Sequence, residues 1–144
     1  MSNLTLRGTK GSSLTYTEVD NNFNRIIIED MAVKTGATGT VTHDFSETSV
    51  WYHTSPAADF TVNFTNVPTT NDKAISVTLI VSQGVTPYLP LYVQIAGSTT
   101  TVKWPNSTLP QGTADQVDVI SFTFIRRDSS WEVLGTLASY GAAI

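Results

Sequence analysis

Residues 60–65 read Phe-Thr-Val-Asn-Phe-Thr, so that apolar and polar side chains alternate at every position. A period of two places Phe60, Val62 and Phe64 on one face of a β-strand and the polar residues on the other. Comparable runs lie on both sides of this one, at 41–45, 50–53, 75–81, 91–95, 100–104, 117–127 and 131–137. Turn-forming residues separate the runs, so the sequence predicts about eight strands.

The composition also favours β structure. Charged residues make up only 14% of the 144 residues, against about 25% in an average protein, and Thr supplies much of the polarity. No helical segment separates the strands, which argues against a parallel α/β sheet. We therefore expect a mainly β fold, with an antiparallel β-sandwich or jelly-roll-like domain over residues 40–144.

An N-terminal arm with one short helix is predicted at residues 1–34. Thr15 and Glu18 have the spacing of a capping box, in which each side chain bonds the backbone N–H of the other residue. A Thr-Gly-Ala-Thr-Gly segment follows at 35–39, and its glycines predict a flexible joint between the arm and the β domain.

The predicted helix carries one apolar stripe at helical spacing, with an apolar residue just before the cap. An isolated helix of three to four turns is marginally stable, so the stripe must pack against its own domain or against another subunit. The flexible joint favours the second alternative, and we expect assembly into a homotrimer. The candidate assembly residues are Leu14, Val19, Phe23, Ile26 and Ile27.

Charge and composition argue against several functional classes. The net charge is −4, the sequence pI is about 4.9, and no basic stripe is present, so we expect no nucleic-acid binding. The chain has no cysteine, which rules out a disulfide or thiolate-metal framework. No apolar run approaches the roughly 18 residues of a membrane span, and residues 1–11 lack the apolar segment of a signal peptide. We expect a product made in the cytoplasm, without membrane insertion.

No catalytic motif is present, and we expect no enzymatic activity, no cofactor and no metal. The chain lacks a phosphate-binding loop, a nucleophile elbow and a zinc-protease helix. His43 and His53 lie on neighbouring predicted strands, and a metal site would need both imidazoles and a carboxylate such as Asp59. The simpler interpretation makes each histidine a polar residue on an exposed strand face.

The aromatic residues allow two interpretations. Trp51 and Trp104 are expected to fill the core, with tyrosines at its rim. Alternatively, exposed tyrosines stack on sugar rings, and the candidate glycan-stacking residues are then Tyr52, Tyr88 and Tyr92.

Residues 6–23 carry a family resemblance. They resemble a short N-terminal motif of phage tail-fibre and virion proteins, Lys-Gly-Ser-Pro-Leu-Thr, two variable residues, then Glu-Val-Asp-x-Asn-Phe. This chain has Ser13 where the motif usually has Pro. Residues 44–141 resemble a domain that recurs in structural proteins of cyanobacterial phages, chiefly through the runs 64–71 and 131–135.

The resemblance implies a virion component of a tailed bacteriophage, because the two matching segments cover most of the chain. It implies a homotrimer and contacts with other virion proteins, either as a capsid decoration or as a small tail or fibre subunit. A carbohydrate-binding module that recognises a glycan on the host surface is the alternative.

Overall fold

The computed structural model describes residues 6–143. A four-residue helix α1 (Arg7–Lys10) and a longer helix α2 (Tyr16–Ile27) precede ten strands. The strands are β1 (Met31–Thr35), β2 (Gly39–Asp44), β3 (Val50–Thr54), β4 (Phe60–Thr65), β5 (Lys73–Ser82), β6 (Pro90–Ile95), β7 (Ser98–Thr100), β8 (Val102–Lys103), β9 (Val117–Arg127) and β10 (Ser130–Tyr140). A single 3₁₀ turn, Pro105–Ser107, lies between β8 and β9.

The strands form two mixed sheets. The first sheet has the order β1-β3-β5-β9-β10-β8, and the second has the order β2-β4-β6-β7. From β1 to β6 the chain alternates between the sheets, and each strand lies parallel to the one two positions earlier. Two parallel neighbours need a crossover connection. Here that crossover is a strand of the other sheet, so the chain winds as a flattened coil.

This winding corrects the expected antiparallel arrangement. Five of the eight strand pairs are parallel, and the antiparallel pairs are β5 with β9, β9 with β10, and β6 with β7. The expectation was wrong because it allowed only helices as crossovers, whereas strands make these crossovers. Within residues 6–143 there are ten strands where the sequence predicted about eight, and the jelly-roll expectation is not confirmed.

The two sheets share one hydrophobic core. The Phe64 ring of the second sheet has its centroid 5.6 Å from that of Trp51 and 5.1 Å from that of Phe124, both in the first sheet. Trp51 is fully buried, as expected for a core residue, and Trp104 packs partly buried against the core. On β9, Phe122 and Phe124 are fully buried and Thr123 between them is not, so this strand alternates between the core and the outer side of the sheet.

The first sheet begins earlier in the chain than the predicted domain boundary. β1 pairs with β3 from Met31 to Thr35, inside the segment assigned to the arm. The segment 35–39 therefore joins two strands rather than an arm and a domain. Its Ala37 is buried, and the Gly36 N–H donates to the Thr54 carbonyl at 3.0 Å. Gly36 and Gly39 both have positive φ, which glycine adopts without strain, so these two residues turn the chain from one sheet into the other.

Candidate functional site

The start of α2 is fixed by the predicted capping box. The Glu18 N–H donates to Thr15 Oγ1 at 3.2 Å, and the Thr15 N–H donates to Glu18 Oε2 at 2.8 Å. The Lys10 ammonium forms an ion pair with the same carboxylate. The hydrogen bond from Lys10, followed by that from the Thr15 backbone, lowers the pKa of Glu18 from 4.5 to about 2. The sequence therefore located the beginning of this helix correctly.

The described part of the apolar stripe of α2 is uncovered in the single chain. Phe23 is 63% exposed and Val19 is 36% exposed, whereas Leu14 before the cap is partly buried. The side chains of Ile26 and Ile27, the other two candidate assembly residues, lie outside the described part of the chain. Ile28, just after the helix, is also exposed. We call Val19, Phe23 and Ile28 the arm surface.

A short link carries the arm to the edge of the first sheet. Thr48 Oγ1 donates to the Asp30 carbonyl, and Ser49 Oγ donates to the Glu29 carboxylate. β1 then forms one edge of the sheet, and its Met31 and Val33 side chains are exposed, Val33 to 61%. Edge strands offer unpaired backbone groups to a further strand. Exposed apolar residues therefore continue from the helix onto β1.

The sequence did not predict β1, although a signal was present. Met31, Val33 and Thr35 alternate with Ala32 and Lys34, and the burial alternates with the same period of two. That pattern is typical of a strand with one face on a core. The strand pattern directly follows the apolar stripe of the helix. The helical period and the strand period of two were therefore hard to separate at this boundary.

Two buried histidines form a hydrogen bond in the core. His43 Nε2 on β2 lies 2.9 Å from His53 Nε2 on β3, and both side chains are fully buried. The sequence correctly placed them on consecutive strands, but these strands belong to different sheets. The expected exposed face is wrong, because both imidazoles point inward. Aromatic rings surround them, with the Trp51 centroid 5.1 Å from that of His43 and the Phe60 centroid 5.0 Å from that of His53.

The hydrogen bonds assign the tautomers of this pair. His43 Nδ1 lies 2.9 Å from the Val41 carbonyl, which can only accept, so His43 carries its proton on Nδ1. The Nε2 of a neutral His43 is then an acceptor, and His53 Nε2–H is the donor. His53 Nδ1 consequently presents a bare lone pair, and it has no hydrogen-bond partner in the structure. An unsatisfied buried acceptor of this kind is costly.

Both imidazoles are held neutral by their surroundings. Burial, reinforced by the neighbouring His53, lowers the pKa of His43 from 6.5 to about 3. Burial also lowers the pKa of His53 to about 4, and the Lys34 ammonium on the paired strand adds to this effect.

A third ligand for a metal is not brought to the histidines. Asp59, the carboxylate considered from the sequence, accepts the Leu89 N–H at 2.9 Å. Over residues 6–143 no cluster of three or more His, Cys, Asp or Glu side chains has the geometry to hold a metal ion. The two imidazoles instead contact each other across the two sheets.

A buried carboxylate that sequence reasoning missed ties two loops together. Asp118 Oδ2 accepts from Gln83 Nε2 at 2.8 Å and from the Thr113 N–H at 3.1 Å, while its Oδ1 accepts from Ser139 Oγ at 2.5 Å. Gln83 also exchanges two hydrogen bonds with the backbone of Tyr88. The only available signal was a carboxylate within an apolar strand, at a position that alternates with its neighbours toward the core.

The three tyrosines proposed for glycan stacking do not share a surface. Tyr52 follows the buried Trp51 on β3 and therefore points to the outer side of the first sheet. Tyr92, 63% exposed, precedes the buried Val93 on β6 and points to the outer side of the second sheet. Tyr88 is in the loop before β6, partly buried and bonded to Gln83. The structure thus separates them onto opposite sides and a loop.

Comparisons with protein-family models, with curated proteins and with solved structures give no match for this chain. Among residues 6–143, no helix combines the length and apolar character needed to cross a membrane.

Proposed function

We propose that this chain is a non-enzymatic structural subunit of a tailed-bacteriophage virion, a capsid decoration or a small tail or fibre subunit. It assembles as a homotrimer through its N-terminal arm and displays the β domain outward. The sequence resemblance to phage virion proteins supports the virion assignment. The observation that carries the assembly claim is the arm surface, which the chain's own β domain leaves exposed.

The energetics of the arm support assembly. α2 has only 12 residues, including three asparagines, which are poor helix formers. A helix this short gains most of its stability from tertiary packing of its apolar side, yet Phe23 faces solvent in the isolated chain. A partner that covers Phe23 and Val19 stabilises the helix and removes apolar area from water at about 25 cal/mol per Å².

We further infer that the two sheets form a β-sandwich. The contacts of Phe64 with Trp51 and Phe124 across the sheets support this arrangement, as does the His43–His53 hydrogen bond. A cysteine-free sandwich with few charges suits a subunit whose role is mechanical.

A carbohydrate-binding module was the alternative, and it required two or three exposed aromatics close together. Tyr52 and Tyr92 lie on the outer sides of different sheets. These two residues therefore give that alternative no shared stacking surface.

The test is the solution mass of the full chain and of two matched variants. We expect sedimentation equilibrium to give about three times the monomer mass of 15.6 kDa. Phe23→Asp should dissociate the assembly, because a carboxylate cannot be buried unpaired in an apolar contact. Asn21→Asp adds the same charge at an exposed polar position of the same helix and should leave the mass unchanged. A parent chain that remains monomeric at high concentration would contradict the proposal.

A further inference from the structure

The outer side of the first sheet carries an apolar row that crosses five strands. Paired residues of neighbouring strands share one face of a sheet. The pairing places side by side Val33 of β1, Tyr52 of β3, Ile80 of β5, Val119 of β9 and Ala138 of β10. None of the five is buried, whereas the inward neighbours on the central strands are, with Trp51 and His53 on β3 and Leu79 and Val81 on β5.

The rows on either side of this one are uncharged as well. One starts at Met31 and the other at Thr35, and each continues through the same strands with only Val, Thr, Ser and Tyr residues. We call these three rows of five residues the outer face. Fifteen neighbouring outward positions therefore lack any charged side chain.

The second sheet provides an internal comparison. Its outward side places Thr42, Asn63 and Gln94 in one row. These side chains hydrogen-bond well to water, as expected for a solvent-facing sheet. A row as apolar as Val33, Tyr52, Ile80, Val119 and Ala138 is instead typical of an interaction surface.

We propose that the outer face of the first sheet receives helix α2 from a second copy of this chain. This inference rests on the proposed assembly through the arm and names the surface to which the arm binds. The same chain presents two uncharged rows of apolar side chains that are exposed or partly exposed, the arm surface and the central row of the outer face. Contact between these two surfaces would remove apolar side chains of both from water.

The dimensions of the two surfaces agree. Five strands span about 19 Å at roughly 4.8 Å between neighbours, and five residues along β1 span about 13 Å. A 12-residue helix is about 18 Å long and 10–12 Å wide with its side chains. One helix therefore covers the outer face. In a trimer with rotational symmetry, each subunit would place its arm on the outer face of the next subunit. The ring then closes with one such contact per subunit.

The link between α2 and β1 favours a second copy over the same chain. Only residues 28–30 separate the two elements, and the bonds from Ser49 to Glu29 and from Thr48 to Asp30 hold them at the sheet edge. With the link in this position, Phe23 is exposed, and Tyr52, Ile80 and Val119 of the outer face remain partly exposed within one chain. An arm from another copy covers both without breaking these bonds.

A cross-linking experiment tests this contact directly, because the chain has no cysteine of its own. A Phe23→Cys chain is mixed with an Ile80→Cys chain, exchanged and oxidised, and disulfide-linked heterodimers are measured by non-reducing electrophoresis and mass spectrometry. The control mixture pairs Phe23→Cys with Gln94→Cys, a comparably buried outward position on the second sheet. We expect at least tenfold more heterodimer with Ile80→Cys. Equal yields in the two mixtures would overturn the proposal.

A charge introduced on each surface separates this proposal from the assembly claim. Ile80→Glu should raise the dissociation constant on the order of 100-fold, because the carboxylate would be desolvated beneath the helix, while Gln94→Glu should not. If Phe23→Asp dissociates the assembly and Ile80→Glu does not, the arm binds elsewhere, so this inference fails and the proposed function stands. If the parent chain is monomeric, both fail.

Discussion

His43 Nε2 and His53 Nε2 approach to 2.9 Å in the core and link the second sheet to the first. His53 donates this bond and His43 accepts it, because the Val41 carbonyl takes the Nδ1 proton of His43. The bond depends on both imidazoles being neutral. A proton added to His43 Nε2 would place two N–H donors against each other.

The first prediction is that acid weakens the fold before the carboxylates titrate. The pKa values of His43 and His53 are about 3 and about 4 in the folded chain, against 6.5 when unfolded. The unfolded chain therefore binds more protons between pH 6.5 and about 4, and stability must fall as the pH falls through that window. We expect the free energy of unfolding to fall by about 1.4 kcal/mol per pH unit for each imidazole that takes up its proton only on unfolding. Urea unfolding at pH 7.5, 6 and 5 measures it.

The matched variant for this prediction is His43→Leu combined with His53→Leu. It removes both titrating groups and leaves no unpaired nitrogen from the pair in the core. Its unfolding free energy should change little between pH 6.5 and 5. The prediction is wrong if this variant loses stability with the same slope as the parent.

The second prediction concerns the helix cap. Thr15→Ala removes the acceptor of the Glu18 N–H and should cost about 1 kcal/mol of helix stability. Thr17→Ala, two residues further on and inside α2, should raise the helix content slightly, because Ala is the better helix former. Circular dichroism during thermal melting distinguishes the two. Similar changes in both variants would mean that Thr15 does not act as the cap.

The third prediction concerns the core face of β9. Phe122→Ala or Phe124→Ala should lower the unfolding free energy by about 3–5 kcal/mol, because both rings are fully buried. Thr123→Ala, which points to the outer side, should cost less than about 1 kcal/mol. Chemical denaturation of the three variants is the measurement, and a reversed order would shift the strand register by one residue.

The fourth prediction compares two glycines. A Cβ added at Gly135 would lie 2.7 Å from the Trp104 ring and 2.8 Å from Val102 Cγ1, whereas nothing lies within 4 Å of a Cβ at Gly84. Gly135→Ala should therefore cost about 1–3 kcal/mol through overpacking, and Gly84→Ala should be nearly neutral. Equal melting temperatures for the two variants would show that Trp104 moves freely aside.

Strands that bury one face, such as β4, β5 and β9, were predictable from their alternation. The strand at 117–127 follows from alternating side chains, and the helix cap at Thr15 follows from the Thr15–Glu18 spacing. The structure has both elements where the sequence predicted them. Parallel and antiparallel pairing leave the same alternation in the sequence, so local patterns did not reveal the winding.

Other features depend on the winding and were missed for that reason. The inward orientation of His43 and His53 could not be predicted from the sequence, because it depends on the packing of their two sheets against each other. The uncharged outer face appears only when Val33, Tyr52 and Ile80 are aligned by the strand pairing, since these residues are far apart in the chain.

The alternation of β1 to β6 between the sheets has a consequence for how the chain folds. No two consecutive strands among the six are neighbours in one sheet, so each of their four parallel pairs requires closure of a loop that contains a strand of the other sheet. Such non-local pairing slows folding, because loop entropy is lost before the contacts form. Neither sheet can grow ahead of the other, and their assembly is kinetically coupled. The β9–β10 hairpin, whose strands are consecutive and antiparallel, is the one large unit of the first sheet able to form early and serve as a template.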